Sequence, residues 1–218
     1  MFTWTRVLRD SPNPPQFRFD PPGQDVIRAL ILMLSLLTLG AAVAAADTTS
    51  LIAGVFNPPR PAPDFALRGS DGVELELRRY RGKVVLLAFG YTSCTEVCPI
   101  TLAILAQARR KLAAAADELQ VIYITVDPDR DDAERMRHFL SAFDPAFVGG
   151  TGTPPQLAAV RTEYGISVSN KMPFPGGYAL SHSSYVYLID RGGSLRALMP
   201  YGHSADDFAH DVRILLKQ

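Results

Sequence analysis

The period of the apolar positions changes several times along this chain, and each change predicts an element. Residues 84–89, Val-Val-Leu-Leu-Ala-Phe, are continuously apolar, as in a central strand buried on both faces. Residues 119–126 have the same character and predict a second buried strand. Between them, residues 99–114 read as a helix whose last turns carry Arg109-Arg110-Lys111, the charge a helix C-terminus favours. Residues 73–77 alternate apolar and acidic side chains, as an exposed strand does. Asp131 or Asp132 is placed to cap a helix running to residue 143, and Thr153-Pro154-Pro155 opens a short helix to Tyr164. Residues 184–189 and 194–198 are the arms of a hairpin around Asp190-Arg191-Gly192-Gly193. Ser204, with Asp207 three residues on, caps a last helix to Leu216.

Strand, helix, strand, helix, then a hairpin and a final helix describe an α/β domain around a central mixed sheet. The order is similar to that of thioredoxin-like folds, which by itself gives no function. Ahead of the domain, residues 29–46 hold no charge; Arg28 precedes them and Asp47 follows. At about 1.5 Å per helical residue this run approaches the roughly 30 Å of a bilayer core. It has no polar face, which argues against a buried core helix. Two readings stay open: a transmembrane anchor, or a signal segment cut after Ala44-Ala45-Ala46. Either puts the rest of the chain outside the cytoplasm, and Arg6, Arg9, Arg18 and Arg28 keep the tail inside. The organisation expected is therefore a cytoplasmic tail (1–28), an anchor or signal segment (29–46), a Pro-rich tether (47–61) and one domain (62–218).

Charge narrows the partners. Twenty-two basic and 22 acidic side chains cancel, so no nucleic-acid surface is expected. The chain holds two cysteines, Cys94 and Cys98, where the first buried strand gives way to a helix. Residues four apart share a helix face, and the free N–H groups of a helix start stabilise thiolate. Pro99 suits that first turn, where no N–H is needed. Two such thiols can form a disulfide, clamp a soft metal, or alternate between the two; an inert pair or a structural staple is the plainer alternative. Outside the cytoplasm they oxidise unless a partner reduces them.

A structural zinc wants four protein ligands, whereas copper(I) accepts two thiolates and an imidazole. Of the four histidines, His138 and His210 lie among charged neighbours in predicted helices and read as solvated, and His203 as a loop or cap residue. His182 stands at the entry to the strand at 184–189, beside the cysteine turn in a thioredoxin-like sheet, as a ligand or as a hydrogen-bonded strand-entry residue. Thiol–disulfide exchange is a second use, although its usual spacing has two residues between the cysteines. Peroxide reduction comes last, because Tyr91 takes the place of that chemistry's proline. Asp127 and Asp131 read as a turn paired with Arg130 and as a helix cap, not as a catalytic pair.

Several motifs together resemble the Sco/SenC family: Phe89-Gly90-Tyr91-Thr92-Ser93-Cys94, Val97-Cys98-Pro99, Val126-Asp127-Pro128-Asp129-Arg130-Asp131, Gly150-Thr151-Gly152-Thr153, and His182 with Tyr187-Leu188-Ile189-Asp190. The resemblance implies a thioredoxin-like, copper-binding assembly factor of cytochrome c oxidase, with copper held by Cys94, Cys98 and His182. It also implies oxidase subunit II as client, a thioredoxin-type thiol reductant, attachment to the inner membrane through 29–46, and a periplasmic domain. Such a chain is a chaperone more than an enzyme, with thiol–disulfide reduction or redox sensing as the alternative role of the redox-active pair Cys94 and Cys98. Thr95 stands where the family commonly has proline, and Ser181 where it often has aspartate, which removes a charge beside the histidine.

Overall fold

The computed structural model describes residues 50–218. The tail, the apolar segment and the first residues of the tether lie outside the described residues. Among the described residues no helix is long and apolar enough to cross a membrane.

The core is a mixed sheet, as the sequence pattern predicts, and it has eight strands. The strands are β1 (Gly54–Pro61), β2 (Ala66–Gly69), β3 (Glu74–Glu76), β4 (Val84–Gly90), β5 (Leu119–Thr125), β6 (Val148–Thr151), β9 (Tyr185–Ile189) and β10 (Ser194–Pro200), with a separate hairpin of β7 (Met172–Phe174) and β8 (Gly177–Ala179). Across the sheet they run β1-β10-β9-β4-β5-β6-β2-β3. β4, β5 and β6 are parallel, while β9 lies antiparallel to β4, with Val85 opposite Ile189 and Ala88 opposite Val186. β4 and β5 are buried along their whole length, as continuous apolar runs require.

The helices are α1 (Val97–Lys111), α2 (Ala133–Ser141), α3 (Pro154–Tyr164) and α4 (Ala205–Leu216). α1 packs on α4, and α2 on β6. α3 begins with a capping box of Thr153 and Gln156 and ends at Gly165, whose φ of 67° is left-handed. α4 begins with the Ser204–Asp207 box.

Three expectations need correcting. Residues 54–61, expected in the tether, form edge strand β1, pairing Gly54 with Leu198 and Pro61 with Ser194. The register breaks between Val55 and Arg60, around Pro58 and Pro59, which have no N–H to give; on an edge strand that is tolerated. The buried carboxylate of Asp211 on α4 accepts from the backbone N–H of Ile52 and Ala53, at 2.8 and 2.9 Å, so this stretch belongs to the domain. Second, α1 starts at Val97, which puts Cys98 in its first turn. Third, Asp132 caps α2 by accepting from Arg135 N at 2.8 Å, and Asp131 is free for another role.

Candidate metal centre

The site forms where the carboxyl end of β4 meets the entry to β9, because antiparallel pairing of these strands brings the two loops together. From the first comes the turn of Tyr91 to Glu96, and from the second His182.

The cysteine turn is held from below. Asp131 is fully buried, and its carboxylate accepts from Thr92 N at 2.9 Å, Thr92 Oγ1 at 2.6 Å and Thr125 Oγ1 at 2.7 Å. One charged group thereby fastens the turn to the end of β5. Val126 N donates to Gly90 O at 2.7 Å and locks the other side. Gly90 is required by close approach: a Cβ there would lie 1.9 Å from the Tyr123 hydroxyl and 2.9 Å from Cys98 Sγ.

Both cysteines are reduced; Cys98 is buried and Cys94 partly exposed. A hydrogen bond from the Cys98 thiol holds Cys94 down at about 5, and backbone N–H groups of Glu96 and Cys98 and the nearby His182 work the same way against burial. Donating that bond, together with burial, pushes Cys98 up. The pair therefore keeps one proton near neutral pH, with the charge on Cys94.

His182 is half-buried, and its Nε2 lies 3.6 Å from Cys98 Sγ. Its Nδ1 is 2.9 Å from the carbonyl of Ser183, which only accepts, so Nδ1 donates there and Nε2 is the nitrogen that faces the sulfur. Backbone hydrogen bonds from Ser169 to Ser181 and from Ser183 to Ser167 fix this strand entry. Tyr91 stacks edge-on against the imidazole, centroids 6.1 Å apart, and its hydroxyl accepts from Leu180 N at 3.3 Å. Burial raises the Tyr91 pKa, so it stays a phenol.

The structure thus puts His182 Nε2 within 3.6 Å of Cys98 Sγ, and Cys94 beside the same sulfur. Among the described residues, no three His, Cys, Asp or Glu side chains already converge on one metal-sized point. The donor set is nonetheless soft and short of a fourth ligand, which fits copper(I) and not zinc. His138 is exposed, as expected of a solvated residue. His210 is partly buried, its Nδ1 2.9 Å from Asp211, and so is not simply solvated. His203 pairs with Asp207 at 3.3 Å near the α4 cap, yet it also lines the apolar hollow beside Cys98 and His182.

Sequence reasoning missed the hairpin of β7 and β8, which immediately precedes the histidine in the chain. Tyr178 on β8 donates to Asp127 Oδ1 at 2.6 Å, and Arg130, paired with Asp127, donates to Tyr178 O at 2.9 Å. The Arg130 guanidinium lies 3.7 Å from the Tyr178 ring centroid and 5.6 Å from that of Tyr91. Pro175-Gly176, with Gly176 at φ 90°, is the turn signal that marks this hairpin. Tyr123, a lone polar tip in an apolar strand, was missed as well; Asp131 was expected to cap a helix at the border of the site, and its anchoring of the cysteine turn was not read.

Residues 57–217 match the model of the SCO1/SenC family. The mitochondrial protein SCO2 homolog of Mus musculus is 33% identical over 153 residues, 69% of this chain and 60% of its own length. The chain spans between 52% and 60% of the mouse, human and bovine relatives it matches. Bradyrhizobium japonicum ScoI with copper bound is 32% identical, covers 72% of this chain and 99% of its own, and superposes with a TM-score of 0.66. Apo Sco1 from Thermus thermophilus is 33% identical over 78% of this chain and 96% of its own, with a TM-score of 0.64. Family model, sequence and thioredoxin-like fold agree, and the chain belongs to the SCO1/SenC family.

Proposed function

We propose that this chain carries copper on Cys94, Cys98 and His182 and serves in assembling cytochrome c oxidase, with subunit II as its client. The observation that carries the reading is the 3.6 Å approach of Cys98 Sγ to His182 Nε2, beside a Cys94 already inclined to be a thiolate. Copper bound by the Bradyrhizobium japonicum relative supports it. Copper(I) needs little beyond two sulfurs and one nitrogen, and a site so sparsely filled leaves room for a client's ligand to enter. His182 is aimed by the Ser183 carbonyl, and Cys98 by its place in the first turn of α1. The domain works outside the cytoplasm, held by residues 29–46, where a thioredoxin-type reductant keeps the thiols free.

The test is copper analysis of the reduced full-length protein. One copper per chain is expected, none after oxidation to the disulfide, and none in the Cys94→Ser, Cys98→Ser double variant. Equal copper in that variant would sink the assignment. A second reading, thiol–disulfide exchange, draws on the split between a low Cys94 and a raised Cys98, the asymmetry of an attacking and a resolving thiol. His182→Ala separates the two. Loss of copper with an intact disulfide cycle favours the carrier, and unchanged copper with slowed client exchange favours the reductase. In cells, deletion should lower oxidase activity when copper is scarce, with partial rescue by added copper.

A further inference from the structure

The donor set described above leaves one polar group beside Cys98 unused. Tyr123 sits mid-β5, opposite Ala88 of β4 and Gly149 of β6, and is 1% exposed. Its hydroxyl is buried and makes no well-formed hydrogen bond among the described residues; the polar group it leans toward is the Cys98 sulfur. Buried phenols almost always make such a bond, so an underused donor here asks for a better acceptor. The hydroxyl and Cys98 Sγ both crowd the space that a side chain at Gly90 would fill, which puts them beside each other. His182 approaches the same sulfur. Burial also holds the phenol well above its ordinary pKa, so the proton stays on oxygen.

A neutral thiol is a weak acceptor, but a thiolate is a strong one. We propose that Tyr123 is a positioning residue for the metal-loaded state, donating its O–H to the Cys98 sulfur once that sulfur binds copper. The inference rests on Cys98 being a copper ligand. It gives the buried hydroxyl a full-strength acceptor in place of the weak one that a neutral Cys98 thiol offers in the metal-free protein. The hydrogen bond draws charge from the sulfur and fixes its direction, as outer partners do at other metal sites. A phenylalanine would fill the same ring space beside Phe139, whose centroid is 6.3 Å away, but would lack the donor.

The test compares the reduced full-length protein with its Tyr123→Phe variant, titrated with copper(I) against a chromophoric chelator. The variant should still bind one copper per chain, about tenfold more weakly, the scale typical of lost outer-shell partners. With copper(II), its sulfur-to-copper absorption band should move to lower energy, because an unshielded thiolate gives up an electron more easily. Without metal, the variant should melt at about the same temperature, since a neutral thiol is a weak acceptor and the hydroxyl gains little from it. Unchanged affinity and an unmoved band in a variant that binds copper overturn the role of Tyr123 and leave the ligand set standing. If neither protein binds copper, the ligand set fails and this inference with it.

Discussion

The two walls of the site are built differently. The cysteine wall hangs on a buried carboxylate: Asp131, fully out of water, takes three hydrogen bonds from Thr92 and Thr125, and Gly90 admits Cys98 and Tyr123 to the same space. The histidine wall is braced from the surface. Tyr178 and Arg130 are partly exposed although the Asp127 carboxylate they share is buried, and the Lys171–Asp129 pair beyond them is more than half exposed on both sides. Buried charge-assisted bonds in a low dielectric are strong and costly to break, whereas exposed ion pairs are worth little. The sulfurs therefore sit on a fixed frame, and the imidazole on one that small changes can tune.

The largest break in that contrast should come from Asp131. Asp131→Ala strands the Thr92 N–H and the Thr125 hydroxyl in a buried site, and should cost about 3 kcal/mol or more in urea unfolding of the reduced protein. Copper binding should fall with it, because the turn that carries Cys94 loses its anchor. A loss below about 1 kcal/mol, on the scale of an ordinary surface hydrogen bond, would mean that the cysteine wall is not held as described. Gly90→Ala comes next. The added methyl meets the Tyr123 hydroxyl and the Cys98 sulfur, an overpacking worth roughly 1–3 kcal/mol. Adding Tyr123→Phe to Gly90→Ala removes the nearest clashing atom and should recover part of the loss. Strict additivity of the two changes would contradict the contact.

These same elements divide what the sequence discloses from what it hides. Strands β4 and β5, the helix after the cysteines and both capping boxes follow from local pattern, since burial on two faces and a helix start each leave a direct mark. The place of His182 followed from topology, because β9 pairs with β4. β1 was hidden by its prolines, which an edge strand permits. β6, Val-Gly-Gly-Thr, looks like loop; its glycines are there because Met136 and Leu140 close on Gly149, and Leu75 and Leu67 on Gly150. The role of Asp131 was hidden because a carboxylate at a helix start looks the same whether it caps the helix or turns inward. Long-range partners decide that, and no local period records them.

On the histidine wall the expected effects shrink. Tyr178→Phe removes one hydrogen bond to Asp127 but leaves that carboxylate paired with Arg130 and keeps the ring over it, so stability should drop by about 1.5 kcal/mol, the low end for a bond to a charged group. If this hairpin positions the imidazole, copper affinity should fall by more than the stability loss suggests, while the alkylation rate of the cysteines stays at the wild-type value. Equal changes in both readouts would assign Tyr178 to folding alone.

The smallest effect on stability should be the titration of Cys94, and it separates the two sulfurs. Held down at about 5 by the Cys98 thiol, the helix-start N–H groups and His182, Cys94 ionises more readily folded than unfolded. A free thiol has a pKa of about 8.5. The stabilisation is therefore complete above the unfolded value, declines as pH falls, and is gone below the folded one. Cys94 is partly exposed, so solvent screens the gain and the slope of stability with pH should be shallow. Reactivity should show the same asymmetry far more clearly. In the reduced, metal-free protein, iodoacetamide near pH 6.5 should modify Cys94 first, with a rate that levels off once the pH has passed about 5. Cys98, buried and raised, should react only after unfolding. Mass spectrometry of the singly alkylated protein decides between them. Label on Cys98, or a Cys94 rate still climbing through pH 8 like an ordinary thiol, would remove the shared proton from the site.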